Sequence, residues 1–467
     1  MYISAQRMVS PLCCPSRASL LTGRFPHNHG AKNNTRDGGC HSQDYIKNSE
    51  PFSLANLAKK YLGYKTFFAG KYLNQYKNAS HVPAGWDEWY GLIGNSRYYD
   101  YRMSYNGNEV KHGHDEKDDY LTNVIRSKIM SFMKNTVKNV EIGENGENRG
   151  REKSEPFLAI ASVPACHAPW DSETKYKKEY KNMEPPQVPS YNFTSDNKNR
   201  HWMMRRVPEL SEKSYDFLVN AHRGRWRTLR TVDDMMIDIF ELLVDLGIDD
   251  NTYVIFTSDN GYHLGNFGLP IDKRQIYDTD VRVPLFVRKP TKKSSYSPPN
   301  AQISENSAEF NNPTLFSNID LAPTLLDIMG LDAEIFNKYM DGTSLAKSIT
   351  GNQIQKRSIF LEYYGEAIKN QGWSGCPNTI GLAQCFPDCV CDDAVNNTYN
   401  CQIGPDLKKV CRFDDDEQFV EAYDTEKDPF ELENVDGKMD NLKENLELVN
   451  KFKSCENEEC RELAKNS

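Results

Sequence analysis

The sequence has 467 residues, of which 38% are hydrophobic and 11% aromatic, so it can build a sizeable core in two or three domains. Its formal net charge of −9 argues against a general nucleic-acid or polyanion binder, although protonation of its ten histidines in an acidic compartment would bring the charge close to zero. No run of about 18 apolar residues is present, and the sequence therefore predicts no membrane span.

The first predicted element is a helix that begins near Pro15 and ends at Gly23. Cys13 then lies just ahead of the helix N-terminus, where free N–H groups and the helix dipole favour an anion. Arg17, one turn inside the helix, is expected to direct a bidentate donor toward the same place. This stretch predicts a site for a tetrahedral oxyanion beside a potential nucleophile; the ordinary alternative is two buried or disulfide-bonded cysteines before a helix.

Hydrophobic spacing predicts alternating helices and strands further along the chain. Helices are expected at 53–63, after a cap at Asp119, at 225–246 and at 320–330, with strands at 64–69, 157–163, 252–257 and 285–288. Polar loops are expected at 139–155 and 292–307. The alternation predicts an α/β domain over residues 1–350 with its site at one edge of the sheet, and a smaller, cysteine-rich α+β domain over 351–467.

Polar side chains come directly after several predicted strands. Lys71, His167 and the pair Asp259-Asn260 each follow one strand, and Lys273 lies on a later loop. A lysine there neutralises an anion oxygen, a histidine protonates a departing alkoxide, and the Asp-Asn oxygens suit a hard cation. Each has an ordinary alternative when taken alone: a solvated lysine, a structural histidine or an Asx turn.

The run from Cys13 to Arg24 resembles the signature of the type I sulfatases, in Cys13-x-Pro15-Ser16-Arg17 and Leu21-Thr22-Gly23-Arg24. The resemblance implies an alkaline-phosphatase-like mixed sheet flanked by helices. It also implies that Cys13 is oxidised to formylglycine, whose hydrated aldehyde attacks sulfur and then expels sulfate from the covalent intermediate. A formylglycine-generating enzyme becomes an expected partner.

The same resemblance implies roles for the residues at the strand ends. Sulfate binders or proton donors are expected at Arg17, Lys71, His167 and Lys273. A calcium ion is expected to bind Asp259, Asn260 and the residue formed from Cys13.

Several local runs resemble the branch of the family that acts on glucosamine 6-sulfate. They are Gly70-Lys71-Tyr72-Leu73-Asn74, Asn260-Gly261-Tyr262-His263, Leu269-Pro270-Ile271-Asp272-Lys273-Arg274-Gln275, Asn396-Asn397-Thr398-Tyr399-x-Cys401 and the tail with Cys455 and Cys460. They imply the 6-sulfate of N-acetylglucosamine in heparan and keratan sulfate as substrate, and a lysosomal setting with secretion as the alternative. Four sequons (at Asn33, Asn78, Asn192 and Asn396) and twelve cysteines fit such an oxidising compartment, although no signal peptide is visible.

The sequence departs from the family pattern in three places. Sulfatases carry an Asp-Asp pair on a strand upstream of the signature, and we expect that this first strand is missing and that the chain therefore holds calcium weakly. Leu73 stands where many sulfatases have histidine, as in the glucosamine-6-sulfatase-like branch, and Cys166 before His167 is either free or paired. The late cluster from Cys376 to Cys411 lacks paired Cys-x-x-Cys knuckles, so disulfides of unknown pairing are favoured over zinc.

Three alternative functions remain open at this point. An extracellular heparan endosulfatase needs a broad basic surface, and the sequence has no long basic segment. A catalytically inactive glycan-binding homologue is the alternative if the short N-terminus is genuine. Phosphatases or phosphodiesterases of the superfamily usually carry serine or threonine at the position of Cys13.

Overall fold

The computed structural model describes residues 2–137, 155–290, 314–351, 353–366, 393–394 and 396–466. The polar loops expected at 139–155 and 292–307 therefore lie outside the described residues, apart from Glu155, as do the cysteines from Cys376 to Cys391. Among the described residues, no helix is long and apolar enough to cross a membrane.

The described strands are β1 (Tyr2–Arg7), β2 (Lys65–Lys71), β3 (Glu88–Leu92), β4 (Arg102–Tyr105), β5 (Asn108–Lys111), β6 (Phe157–Ser162), β7 (Val254–Phe256), β8 (His263–Leu264), β9 (Ile271–Asp272), β10 (Arg282–Arg288), β11 (Phe316–Ser317), β12 (Ile359–Tyr363), β13 (Tyr399–Ile403), β14 (Lys408–Phe413) and β15 (Val420–Asp424). The described α-helices are α1 (Cys13–Thr22), α2 (Pro26–His29), α3 (Gln43–Asn48), α4 (Leu54–Leu62), α5 (Glu116–Asp119), α6 (Leu121–Thr136), α7 (Trp202–Arg205), α8 (Glu212–Asp245), α9 (Asp278–Val281), α10 (Leu321–Ile328), α11 (Ala333–Phe336), α12 (Ala346–Gly351), α13 (Leu442–Phe452) and α14 (Glu458–Lys465).

A five-stranded sheet in the order β5-β4-β3-β2-β6 is covered by helices on both faces. The strands β3, β2 and β6 are parallel, so their carboxyl ends lie on the same side of the sheet. Successive side chains of β2 point to opposite faces: Phe67 packs with α6 and α8, and Phe68 packs with α1 and α4. This is the helix–sheet–helix arrangement expected of an α/β fold.

A second sheet in the order β11-β1-β10-β7 leads into the first helix. β1 pairs antiparallel with β10 and parallel with β11, so this sheet is mixed, as expected. A short connection after β1 then delivers the chain to α1. Leu285, Val287 and Phe316 form a buried cluster on this sheet.

A third, antiparallel sheet in the order β12-β13-β14-β15 is built from the late part of the chain. The disulfide Cys401–Cys411 joins β13 to β14, and Cys455–Cys460 closes the turn between α13 and α14. The mixture of strands, helices and disulfides agrees with the α+β character expected here. The domain boundary at residue 350 stays a prediction.

Most of the predicted helices and strands are found, and the differences have physical causes. Ser53 caps α4 by accepting the Asn56 N–H, and Gly63 ends it with a φ of 68°. The expected cap at Asp119 is wrong: Tyr120 precedes α6, and the Asp119 carboxylate instead contacts His112 Nδ1 at 3.1 Å. α8 begins 13 residues before the expected start, because Ser211 caps it and its first turns carry polar residues that hide the helical spacing.

Candidate active site

Cys13 occupies the first position of α1 and is only 1% exposed. The expected place just ahead of the helix is thus wrong by one residue, since Leu12 is the N-cap. Pro15 still lies in the first turn, where its missing N–H costs no intrahelical hydrogen bond. The Cys14 N–H is satisfied by Asn34 Oδ1 at 2.9 Å, so the start of the helix is fixed beside the chain segment after α2.

The two adjacent cysteines at the helix start have different chemical states. Cys14 forms a disulfide with Cys40, which ties α1 to the segment before α3. Cys13 is a free thiol, and so is the half-buried Cys166. Both cysteines are buried, as the ordinary alternative has it, but its disulfide-bonded form applies to Cys14 and not to Cys13. The Cys13 sulfur therefore stays unpaired at the helix N-terminus.

Arg17 connects four parts of the chain around this helix start. Its Nε donates to Asp259 Oδ2 at 2.7 Å, and its Nη1 donates to the Lys71 carbonyl at 2.7 Å and to Ser162 Oγ at 2.8 Å. Ser162 Oγ in turn donates to the same Lys71 carbonyl at 2.7 Å. The guanidinium therefore holds the ends of β2 and β6 and the loop after β7 against α1.

Lys71 is the last residue of β2, so the strand ends two residues later than the sequence predicts. The residue is only 1% exposed. Its Nζ donates to the neutral amide oxygen Asn95 Oδ1 at 3.0 Å. Burial lowers the pKa of Lys71; electrostatic interactions with Asp259 and Cys13 oppose this shift, whereas neighbouring cations add to it. A buried ammonium bound to a neutral amide keeps its attraction for an incoming anion.

Asp259 and Asn260 follow β7 and offer two oxygens of the kind that a hard cation binds. Burial of the Asp259 carboxyl raises its pKa, but the nearby cations Arg17, Lys71 and Lys273 outweigh burial and lower the pKa far below the ordinary value. The group is thus a carboxylate at any physiological pH. Asn260 Oδ1 is buried without a hydrogen-bond partner, which fits a position that accepts a metal ion.

Lys273 lies near Lys71 and Asp259 and has a counter-ion of its own. Its Nζ contacts Asp272 Oδ1 at 2.7 Å, and both side chains are 2% exposed. Lys273 and Arg274 are both buried, so neither is a solvated loop residue, and Arg274 forms ion pairs with Asp272 and with Glu366. Lys273 is therefore the residue of this pair whose charge acts on Lys71 and Asp259.

His167 lies on the loop after β6, and Arg225 links this loop to Tyr262. Its Nδ1 donates to the Ala168 carbonyl at 2.9 Å, which fixes the proton on Nδ1. Arg225 donates to the Cys166 carbonyl at 3.3 Å and lies 4.0 Å from the centre of the Tyr262 ring, and Lys273 Nζ lies 5.9 Å from the same ring. The loop that carries His167 is thus linked through Arg225 to the Tyr262 ring, near which Lys273 also lies.

Four supporting residues are missed by the sequence analysis: Ser162, Asn95, Asn318 and Asp272. Ser162 and Asn95 follow or end strands of the same sheet, so the rule that singles out Lys71 applies to them as well. Asn318 donates to Ser16 Oγ at 3.0 Å and accepts the Val9 N–H at 2.9 Å, and Ser16 Oγ bonds the Asp259 carbonyl. No local pattern signals Asn318, because its partners are about 300 residues away in the sequence.

The sulfatase family profile matches residues 3–331. Cys13, the cations and the Asp259-Asn260 oxygens come together where the start of α1 meets strand ends of two different sheets. With this site and the family match, the chain belongs to the sulfatase family and is, by class, a sulfuric ester hydrolase. Members of the family generally use a formylglycine and a divalent metal.

Among individual relatives, the chain is 40% identical over 448 residues to human N-acetylglucosamine-6-sulfatase, covering 93% of this chain and 75% of the human protein. It is 33% identical over 352 residues to a putative extracellular sulfatase Sulf-1 homologue of Caenorhabditis elegans, covering 75% of this chain and 45% of that protein.

The fold is shared with a protein solved in complex with its substrate D-glucosamine-2-N,6-O-disulfate, with a TM-score of 0.68 and 20% identity, covering 99% of this chain and 91% of the other. These comparisons confirm the resemblance and the α/β fold that the sequence predicts.

Proposed function

We propose that this chain hydrolyses the 6-O-sulfate ester of N-acetylglucosamine residues in heparan and keratan sulfate. The observation that carries the proposal is the free, buried Cys13 at the start of α1, beside the cations Arg17 and Lys71. The choice of sugar and position rests on the 40% identity to human N-acetylglucosamine-6-sulfatase over most of this chain.

The reaction begins with a sulfate ester bound among cations. Lys71 and Lys273 attract the sulfate oxygens, and Arg17 fixes the geometry of Asp259 and of the ends of β2 and β6. Formylglycine made from Cys13 by a formylglycine-generating enzyme would supply the nucleophile for the sulfuryl group, and the second hydroxyl of its hydrate would then release sulfate. When both ring nitrogens of His167 carry a proton, the Nδ1 proton stays on the Ala168 carbonyl and the Nε2 proton passes to the departing sugar oxygen; Lys273 is the alternative donor.

Calcium is the proposed cation at Asp259 and Asn260, with the residue formed from Cys13 as a further ligand. A carboxylate and an amide oxygen are hard ligands, and the unpartnered, buried Asn260 Oδ1 supports this choice. When bound, the ion stabilises negative charge on the sulfuryl group. Asp259 stays ionised for this purpose because the neighbouring cations lower its pKa.

We further propose a lysosomal setting and N-glycosylation. The disulfides Cys14–Cys40, Cys401–Cys411 and Cys455–Cys460 fit synthesis in an oxidising compartment. The four sequons fit the same route.

The test is sulfate release by the chain made in cells that also produce the formylglycine-generating enzyme. We expect release from N-acetylglucosamine 6-sulfate but not from its 3-sulfate isomer, and loss of release in Cys13→Ala. Mass spectrometry should find the aldehyde at residue 13, with the free Cys166 as an internal control that stays a thiol. Activity that survives Cys13→Ala would overturn the proposal, and cleavage confined to internal sulfates of heparan chains would favour the endosulfatase.

A further inference from the structure

A second cluster of metal-binding side chains lies outside the active site, between the segment before α4 and the loop that follows β2. It consists of His41, Glu50 and His81, whose ligand atoms all lie within 4.8 Å of one another. Glu50 is 3% exposed and His41 7% exposed, so two of the three groups are removed from water. The active-site residues do not use this cluster.

The distances among the three groups match the space around one small cation. His81 Nε2 lies 3.0 Å from Glu50 Oε2, and His41 Nε2 lies 3.8 Å from Glu50 Oε1. Ligands placed about 2.0–2.1 Å from a tetrahedral zinc ion are separated by about 3.3 Å. Small rotations of the side chains therefore bring all three atoms onto one ion.

The His41 ring carries the observation that points to a ligand. Its Nε2 is buried without a hydrogen-bond partner and faces Glu50. The ring also has a hydrogen bond to the Gln75 backbone, and since Nε2 has no partner, Nδ1 is the donor. Nε2 therefore presents its lone pair to a carboxylate, an arrangement that a cation between the two groups stabilises.

Aromatic neighbours hold the three groups in place. The Tyr72 hydroxyl donates to Glu50 Oε1 at 3.0 Å, and the Tyr76 hydroxyl donates to the His81 carbonyl at 2.7 Å. The rings of Tyr72 and Tyr76 also contact the His41 ring edge to face. Hydrogen bonds of this kind orient metal ligands and tune their basicity.

We propose that His41, Glu50 and His81 bind one divalent ion of the zinc class. His81 is 23% exposed on its side chain, so water reaches the cluster and completes the coordination as a fourth ligand. The ion takes the place of the proton that His81 shares with Glu50. The nearby Arg36 is exposed, so solvent screens its repulsion.

A zinc ion at this site would differ from the calcium ion proposed at Asp259 and Asn260 in its preferred ligands and in the part of the chain that it stabilises. Two imidazoles and one carboxylate favour zinc, whereas the oxygen ligands of Asp259 and Asn260 favour calcium. The new site also lies next to Cys40, whose disulfide reaches Cys14 in α1. A bound ion therefore stabilises the segment that anchors the helix of Cys13.

The test uses the full chain without a polyhistidine tag, stripped of metal and titrated with Zn²⁺ alone in the presence of excess Ca²⁺. We expect one tightly bound zinc and a higher melting temperature. His81→Gln and His41→Gln should each weaken zinc binding at least about tenfold, because loss of a ligand costs no less than loss of its supporting hydrogen bonds. The matched control is His114→Gln, since His114 also faces a carboxylate (Asp100, 3.0 Å) but is 75% exposed; it should bind zinc as the wild type does.

A second measurement on the wild type needs no variant to fold. Co²⁺ in place of zinc should give the visible absorption of a four-coordinate nitrogen and oxygen site, and Zn²⁺ should remove that absorption. Absence of zinc binding in excess Ca²⁺, absence of the Co²⁺ absorption, or equal zinc affinity in wild type and His81→Gln would each overturn the proposal. None of these readouts depends on sulfatase activity.

Discussion

Arg17 Nε lies 2.7 Å from Asp259 Oδ2, across 242 residues of sequence. The other end of the same guanidinium binds the Lys71 carbonyl and Ser162 Oγ. One planar group thereby fixes the helix of Cys13 relative to a metal-type carboxylate and to the ends of two parallel strands. The planar shape matters because a lysine ammonium cannot reach these acceptors in fixed directions.

The first prediction concerns Arg17→Lys, which keeps the positive charge and removes the planar guanidinium group. We expect kcat for sulfate release to fall by about 100-fold or more, because a preorganised donor at the reacting centre is lost. Steady-state kinetics on N-acetylglucosamine 6-sulfate measure this change. Arg24→Lys is the matched control, since Arg24 follows the same helix and contacts Asn48 and Ser49 instead; a comparable loss in the control would contradict the assignment.

The sequence singles out the residues of this candidate site better than the residues that support them. Cys13, Lys71 and Asp259 are found because each stands at a helix start or a strand end, where backbone geometry concentrates polar groups. Asn318 and Ser162 are missed as supports because their contacts join residues 302 and 145 positions apart. Such pairings depend on how the sheets assemble, which no local pattern encodes.

Charge balance is the other property that the sequence does not reveal. Lys273 and Arg274 are adjacent cations that the sequence does not distinguish. Both are buried, but Arg274 forms an ion pair with Glu366. Burial of a charge requires a partner, and the partner of Arg274 comes from beyond β12. Two predicted helix starts differ from the structure for a related reason. Polar residues in the first turns hide the start of α8, and the Asp119 carboxylate contacts His112 and does not cap α6.

The second prediction concerns Asn95, which accepts from Lys71 Nζ at 3.0 Å. Asn95→Asp places a carboxylate on this ammonium, raises the pKa of Lys71 and cancels its attraction for sulfate. We expect a higher KM for the sulfate ester, of the order of tenfold, with a smaller change in kcat. Asn95→Ala removes the amide without adding charge and is the control; an equal rise of KM in both variants would show that orientation and not charge is responsible.

The third prediction concerns His27, which links α2 to β12. Its Nδ1 lies 2.9 Å from Glu362 Oε2 and its Nε2 lies 3.0 Å from the Cys455 carbonyl, so both ring nitrogens are donors. Burial lowers the pKa of His27, but Glu362 and the two hydrogen bonds outweigh burial and raise it to about 9. A group with a raised pKa stabilises the fold below its unfolded pKa of about 6.5, and this stabilisation is lost as the pH rises toward 9.

The pKa difference corresponds to about 3 kcal/mol of unfolding free energy lost between pH 6.5 and 9. Denaturant unfolding of the wild type and His27→Gln across this range measures it: the wild type should lose stability more steeply than the variant. His114→Gln, at an exposed histidine, should follow the wild type. Parallel curves for wild type and His27→Gln would contradict the prediction.

The fourth prediction compares two disulfides by the length of chain that each one closes. Cys14–Cys40 spans 26 residues and Cys455–Cys460 spans five. Because a crosslink restricts the unfolded chain more when its loop is longer, removal of the first should cost about 3–4 kcal/mol and removal of the second about 2 kcal/mol. Unfolding free energies of Cys14→Ala/Cys40→Ala and Cys455→Ala/Cys460→Ala, measured under identical conditions, test this order. All four cysteines are buried, so exposure does not distinguish the two variants. A larger loss for the short loop would mean that local packing outweighs chain restriction.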